Sequence, residues 1–120
     1  MADFAAVETR LRSILEPYRD RLEDGTIYNR AILRRPGGHG HDWFAGVVVN
    51  KNYVSFYLMP IYTFPHLLDG LSPGLGKRKQ GQVCFNFSTV DEELMAELTA
   101  LTERSFEAYS SEGESPPQRA

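Results

Sequence analysis

The stretch 47–60 reads VVVNKNYVSFYLMP and decides the fold. The runs Trp43–Asn50 and Tyr53–Met59, on either side of Lys51 and Asn52, predict a β-hairpin. Side chains alternate between the two faces of a strand, so the pairing puts all the core candidates on one face. That apolar face comprises Trp43, Ala45, Val47, Val49, Val54, Phe56 and Leu58.

The opposite face of the predicted sheet combines aromatic and polar side chains, and we call it the mixed face. Gly46 is expected to leave space there opposite Tyr57. Two arrangements fit the mixed face: a neighbouring segment covers it, or it stays open for a ligand. The sequence favours neither arrangement. Its predicted members are Tyr28, Tyr53, Ser55, Tyr57, Cys84 and Asn86.

The remaining elements follow from apolar periodicity and from the glycines and prolines that interrupt it. Asp24-Gly25 is expected to end the N-terminal helical region, and Ile27, Ala31 and Leu33 are expected to share one face of the next strand. The first half of the chain is predicted to form a helix from Phe4 to about Leu15, a short helical piece with Pro17 in its first turn, a strand over 27–35 and the hairpin. The second half is predicted to form an irregular connector over 60–81, a strand over 82–88 and a helix that ends near Tyr109.

This order predicts an α+β fold: an antiparallel sheet of about four to five strands with the N- and C-terminal helices on one face. We expect a single domain over residues 1–109, since 120 residues suffice for one core. Residues 110–120 are polar, contain two prolines and are predicted to be disordered.

Composition excludes several classes of function. The net charge of −3 gives no overall basic field for nucleic acid. No apolar run is long enough to span a membrane, and the N-terminus lacks the features of a signal peptide. The single cysteine, Cys84, cannot form an internal disulfide, so a reducing, cytoplasmic location is expected.

Four segments in order, KNYVSFYLMPIY, LLDGLSP, KRKQGQVCFNF and DEELMAELTALTERSFEAY, resemble the YdhG-like family, a bacterial domain of unknown function. The resemblance covers the chain from about Trp43 to Tyr109. It implies a frataxin-like layout with two terminal helices on one face of an antiparallel sheet. Because some members of the family are described as iron chaperones, it also implies an iron-binding alternative for this chain.

The candidate ligand site combines the mixed face with the only dense basic cluster. Tyr53, Tyr57 and Asn86 would form the floor, because tyrosines supply apolar area together with a hydroxyl. The neighbouring cations Lys77, Arg78 and Lys79 would contact a phosphate or carboxylate. The alternative is that this cluster is a solvated turn.

The candidate metal ligands fall in two places. His39, His41 and Asp42 lie in a glycine-rich loop, but a complete site needs a third or fourth strong ligand. Glu16 and Asp20 lie in the acidic N-terminal helical region, where interleaved arginines suggest surface ion pairs such as Glu8–Arg12 instead.

The leading hypothesis is therefore a non-enzymatic binding domain, without a cofactor, that holds a small anionic ligand or a protein partner on the mixed face. One alternative is a frataxin-like iron chaperone. The other is a homodimerisation or partner-docking module that uses the same face. An enzyme is not favoured, because no set of acid, base and nucleophile follows from the spacing.

Overall fold

The computed structural model describes residues 4–27, 30–37, 40 and 42–114, with side chains through residue 110. Its elements in chain order are α1 (Phe4–Leu15), a 3-10 turn (Glu16–Arg21), β1 (Glu23–Ile27), β2 (Arg30–Arg34), β3 (Ala45–Val49), β4 (Val54–Leu58), α2 (Pro60–Thr63), a 3-10 turn (Pro65–Leu68), α3 (Pro73–Arg78), β5 (Lys79–Gln80), β6 (Cys84–Phe87) and α4 (Glu92–Glu114). No helix among these residues is both long and apolar enough to cross a membrane.

The six strands form one antiparallel sheet in the order β1-β2-β3-β4-β6-β5. The helices α1 and α4 share one hydrophobic core with a single face of this sheet, which confirms the predicted α+β fold. The sheet has slightly more strands than the four to five expected from the sequence.

One extra strand arises at the N-terminal end of the sheet, where a hairpin replaces the single strand predicted over 27–35, and the other is the two-residue β5 at the opposite edge. Asp24 and Gly25 were expected to end the helical region, but they lie inside β1. A Cβ atom at Gly25 would lie 2.7 Å from Nε of Arg34 on the neighbouring strand, so the Arg34 side chain would have to shift to accommodate any other residue there. Ile27 pairs with Arg30, so it lies on the face opposite Leu33 rather than beside it.

The central hairpin has the predicted register, with Val47 opposite Phe56 and Ala45 opposite Leu58. These four side chains are buried in the core, while Val49 is exposed at the end of its strand. The prediction was wrong at the start of the hairpin, where Phe44 belongs to the core and Trp43 lies on the mixed face. Residues 42–44 precede the regular strand, so the alternation of β3 does not extend to them.

The core is built from one stripe of each helix and from alternate strand positions. The first helix ends at Leu15 and continues as a 3-10 turn with Pro17 near its start, as predicted, because proline lacks the backbone donor that a helix interior requires. The last helix runs to Glu114, beyond its predicted end near Tyr109. Of the tail predicted to be disordered, residues 115–120 lie outside the described residues.

The connector over residues 60–81 packs on the helical side of the sheet. Its apolar residues Ile61, Leu67 and Leu75 join the core. Ser72 binds α4 through two hydrogen bonds to Glu97, one from its backbone N–H (2.8 Å) and one from its hydroxyl (2.5 Å). The body of the connector is therefore placed away from the mixed face, and only its first residues reach that face.

Candidate functional site

A ladder of hydrogen-bonded polar side chains occupies the mixed face between β4 and β6. Ser55 lies opposite Asn86, and its hydroxyl donates to Oδ1 of Asn86 at 2.7 Å. Nδ2 of Asn50 donates to the Ser55 hydroxyl at 2.8 Å, and the Cys84 thiol donates to the same Asn86 oxygen at 3.1 Å. Ser55 is buried, so these bonds compensate for removing its hydroxyl from water.

The Cys84 thiol is held in its neutral form. Burial raises the pKa of Cys84, and the neighbouring Ser55 and Tyr57 hydroxyls and the charge of Arg30 oppose this effect only in part. Burial is also the main reason that the pKa of Tyr57 is raised. A thiol needs its anionic form to act as a nucleophile, so this environment suits a packing residue rather than a reactive cysteine.

A cavity of about 500 Å³ lies beside this ladder on the mixed face, and we call it the sheet-face cavity. Its walls combine aliphatic residues, three aromatic residues and two polar ones. The lining residues are Ile27, Arg30, Ile32, Trp43, Tyr57, Met59, Tyr62, Gln82 and Val83. Cavities of this size and composition are typical of small-molecule sites.

Close approach of two strands forms part of the cavity wall. Gly46 pairs with Tyr57 as predicted, but the space beside Gly46 is not empty. A Cβ atom on Gly46 would lie 2.5 Å from the carbonyl oxygen of Ala31 and 2.9 Å from Cγ2 of Ile32. The glycine therefore lets β2 approach β3 and lets Ile32 occupy the space expected to face Tyr57.

Arg30 is the cation of the cavity. Its guanidinium carbon lies 5.6 Å from the centre of the Tyr57 ring, within the range of a cation–π contact. Arg30 is exposed and takes part in none of the ion pairs formed among the described residues. None of the described lining residues carries a carboxylate, so the positive charge of Arg30 is not balanced within the cavity.

Trp43 contributes a hydrogen-bond donor that has no partner among the described residues. Its side chain is 5% exposed and lines the cavity, and its indole Nε1 is buried without an acceptor. An unmatched buried donor costs about 1–3 kcal/mol.

The structure brings only some of the predicted ligand-binding residues together. Tyr57 lines the cavity, and Asn86 lies in the adjacent polar ladder. Tyr53 is exposed beside the turn of the hairpin and does not line the cavity.

The basic cluster Lys77–Lys79 lies at the edge of the sheet, and none of its three residues lines the cavity. Lys77 and Arg78 end α3, which packs on the helical side. Lys79 pairs with the core residue Phe85, and its Nζ donates to the carbonyl of Gly81 at 2.6 Å. The expected combination of this cluster with the mixed face is therefore not formed.

The candidate metal ligands remain apart wherever they are described. Glu16 pairs with Arg19 at 3.8 Å, and Asp42 pairs with Arg35 at 2.9 Å. Asp20 is exposed on the 3-10 turn, while His39 and His41 lie outside the described residues. No three acidic, histidine or cysteine side chains of the described chain come together as a cation site.

The acidic N-terminal helical region has the ion pairs expected from its interleaved arginines. The predicted pair forms between Nε of Arg12 and Oε2 of Glu8 at 2.8 Å. Asp24 also lies 3.5 Å from Arg19. These carboxylates thus face arginines rather than one another.

Sequence reasoning missed most of the cavity walls. Arg30 and Ile32 occupy alternate positions of β2 and share a face. The alternation predicted over 27–35 already puts Arg30 on the face of Tyr28, but neither Arg30 nor Ile32 was selected as a site residue. Met59 and Tyr62 lie at the junction between β4 and α2, where no strand alternation applies. Their position could be found only from the path of the chain after Leu58.

The comparisons identified no relatives: neither the protein-family models nor the curated proteins matched the chain, and no solved structure matched it.

Proposed function

We propose that the chain is a non-enzymatic binding domain that holds a small ligand with one anionic group in the sheet-face cavity. The observation that carries this proposal is the cavity itself, about 500 Å³ of mainly apolar space with one cation at its wall. Ligand sites commonly combine apolar walls with a few polar groups that fix orientation. The connector supports the proposal because its core residues pack on the other side of the sheet.

Arg30 supports an anionic group on the ligand. Its guanidinium can donate two parallel hydrogen bonds to a carboxylate or phosphate. It has no carboxylate partner among the described residues, and the Tyr57 ring restricts where it can lie. A neutral ligand of the same shape would leave this charge unpaired, and a cationic one would be repelled by it.

Cys84 supports binding rather than catalysis. It is the cysteine beside the cavity, and burial keeps its thiol protonated. Its hydrogen bond goes to an amide oxygen rather than to a base. Nucleophilic catalysis requires an activated group, and this arrangement opposes activation.

Occupancy of the cavity can be tested by titration with 8-anilinonaphthalene-1-sulfonate, a fluorescent aromatic anion. Trp43 is the only tryptophan of the chain and lines the cavity, so its quenching reports binding there. Val83→Phe should fill part of the cavity and weaken binding. Val49→Phe makes the same change at an exposed position outside the cavity and should leave binding unchanged. Absence of saturable quenching, or equal binding by the two variants, would refute the proposal.

The role of charge can be tested separately. Arg30→Gln should weaken binding of the sulfonate roughly tenfold, because a charge-assisted hydrogen bond is worth about 1.5–3 kcal/mol and solvent lowers that value at an exposed site. The hypothesis that the basic cluster Lys77–Lys79 contacts the anion predicts instead that the sulfonate binds less tightly to the double variant Lys77→Ala with Arg78→Ala. That double variant is the matched control, and a larger effect there than for Arg30→Gln would restore the basic cluster as the anion site.

Other hypotheses from the sequence gain no specific observation from the described residues. The resemblance to the YdhG-like family, the iron-chaperone and homodimerisation alternatives, and the cytoplasmic location all stay predictions.

A further inference from the structure

We propose that the ligand is a planar aromatic acid, bound with its carboxylate on Arg30 and its ring system against the aromatic wall of the cavity. This inference rests on the proposed function and narrows its ligand to one chemical class. If the cavity binds aromatic and aliphatic anions equally well, this inference fails while the proposed function stands.

The composition of the wall is the first reason. Trp43, Tyr57 and Tyr62 are three of the nine lining residues, and they come from three different parts of the chain. Tyr62 is 54% exposed, a large aromatic surface left open at the rim of an apolar space. Aromatic rings prefer offset-stacked or edge-to-face partners, and these contacts add to the gain from burying area.

The geometry of the cation is the second reason. A guanidinium is flat, and Arg30 already lies over the Tyr57 ring at 5.6 Å. Such a group offers its edge to a carboxylate and stacks on aromatic planes with its face. A ligand whose carboxylate is attached directly to a ring can use Arg30 and the neighbouring rings together. A flexible aliphatic acid of similar size would lose more conformational freedom on binding and would gain no stacking.

The distinguishing experiment compares two acids of matched skeleton and charge, 2-naphthoate and trans-decahydro-2-naphthoate, by isothermal titration calorimetry on the full chain. We expect 2-naphthoate to bind roughly tenfold more tightly, the size of one or two aromatic contacts. Equal affinities, or tighter binding of the saturated acid, would overturn the aromatic assignment while leaving the cavity as an anion site. Binding of neither acid would overturn both this assignment and the proposed function.

Variants of Tyr57 show where the aromatic preference originates. Tyr57→Leu should reduce the ratio of the two affinities to about twofold or less, whereas Tyr57→Phe, which keeps the ring, should retain at least half of the original ratio. Tyr53→Leu is the matched control because this tyrosine lies outside the cavity, and its ratio should equal that of the unmodified chain.

Thermal unfolding of each variant verifies that the fold is retained. If Tyr57→Leu unfolds, the ratio in Tyr57→Phe still decides whether the hydroxyl is needed. A preference that Tyr57→Leu leaves intact, or that Tyr57→Phe abolishes, would overturn the proposed stacking.

Discussion

The approach of β2 to β3 depends on Gly46, and its replacement by alanine tests this dependence. In the structure an added Cβ atom would lie 2.5 Å from the carbonyl oxygen of Ala31, against an ordinary contact distance of 3.4–4 Å. The obstructing atom belongs to the backbone, so it cannot move away as the end of a flexible side chain could. We therefore expect Gly46→Ala to displace β2 by about 1 Å, the difference between a clash and a normal carbon–oxygen contact.

The expected destabilisation combines two opposing terms. Forcing an extra carbon into a well-packed site typically costs about 1–3 kcal/mol. Alanine also restricts the unfolded chain more than glycine does, which returns roughly 0.5–1 kcal/mol. The free energy of unfolding should therefore fall by about 1–2 kcal/mol. For a domain of this length the melting temperature should decrease by about 4–8 °C.

Gly76 provides the matched control for the same chemical change. It lies in α3, and a Cβ atom there would meet no atom within 4 Å apart from its chain neighbours and the backbone of its own helix. Gly76→Ala should raise the free energy of unfolding by about 0.5–1 kcal/mol, since alanine favours a helix interior. Urea unfolding followed by circular dichroism measures both variants. The reasoning fails if Gly46→Ala is neutral or stabilising, or if both variants are destabilised equally.

Three further predictions concern buried polar groups. Ser55→Ala should lower the free energy of unfolding by about 1–2 kcal/mol in urea unfolding, because Asn86 then loses its bond from the serine hydroxyl; a neutral result would mean that water replaces this bond. Because the pKa of Cys84 is raised in the folded chain, its contribution to stability is present below about pH 8.5 and is lost as the pH rises through the folded pKa. Between pH 7 and 10 the free energy of unfolding of the unmodified chain should therefore decrease more steeply than that of Cys84→Ala. Identical decreases would contradict this assignment. Glu97→Ala should cost about 1–3 kcal/mol and increase hydrogen exchange around Ser72, whereas unchanged exchange would show that the two hydrogen bonds do not hold the connector.

The central hairpin could be predicted because its side-chain alternation has a single solution. A shift of one residue would move Val47 and Phe56 from the core to the opposite face. The position of Pro17 likewise determined where the first helix ends, since proline removes a backbone donor. In both cases a local rule and the global packing favour the same structure.

The N-terminal hairpin could not be predicted, because there the local signal and the global packing favour different structures. Asp24-Gly25 is a common signal for the end of a helix or for a turn, and no local feature shows that Gly25 instead lies beneath the side chain of Arg34. That contact exists only after β1 and β2 have paired. The exchange of Trp43 and Phe44 has a similar cause, because residues outside a regular strand need not follow its alternation.

The candidate site was predicted in part. The mixed face and Tyr57 followed from alternation, and both belong to the region of the cavity. The cation that would contact the ligand was predicted from the density of basic residues along the chain, which favoured the cluster Lys77–Lys79. Spatial proximity instead brings a single arginine, Arg30, from β2 to the ring of Tyr57, and the linear sequence does not show which strand residue lies beside that ring.

The side chain of Arg30 brings a charge from β2 to the cavity. The pairing between β2 and β3 joins Leu33 to Ala45, and continuing it would place Arg30 opposite Val48. Arg30 instead lies over the ring of Tyr57, whose partner on β3 is Gly46, two residues away from Val48. The long side chain of Arg30 thus reaches diagonally across the mixed face, from β2 to Tyr57 on β4.

The close approach of β2 to β3 links the stability of the sheet to the proposed binding. It brings Ile27 and Arg30 to the cavity from one side, and it depends on the close contact that Gly46 allows with Ile32. A displacement of β2 by Gly46→Ala should therefore weaken ligand binding even though Gly46 does not line the cavity. Because Gly76→Ala changes stability without touching β2, it should leave the affinity unchanged, so comparing the two variants separates a shift of the cavity wall from a general change in stability.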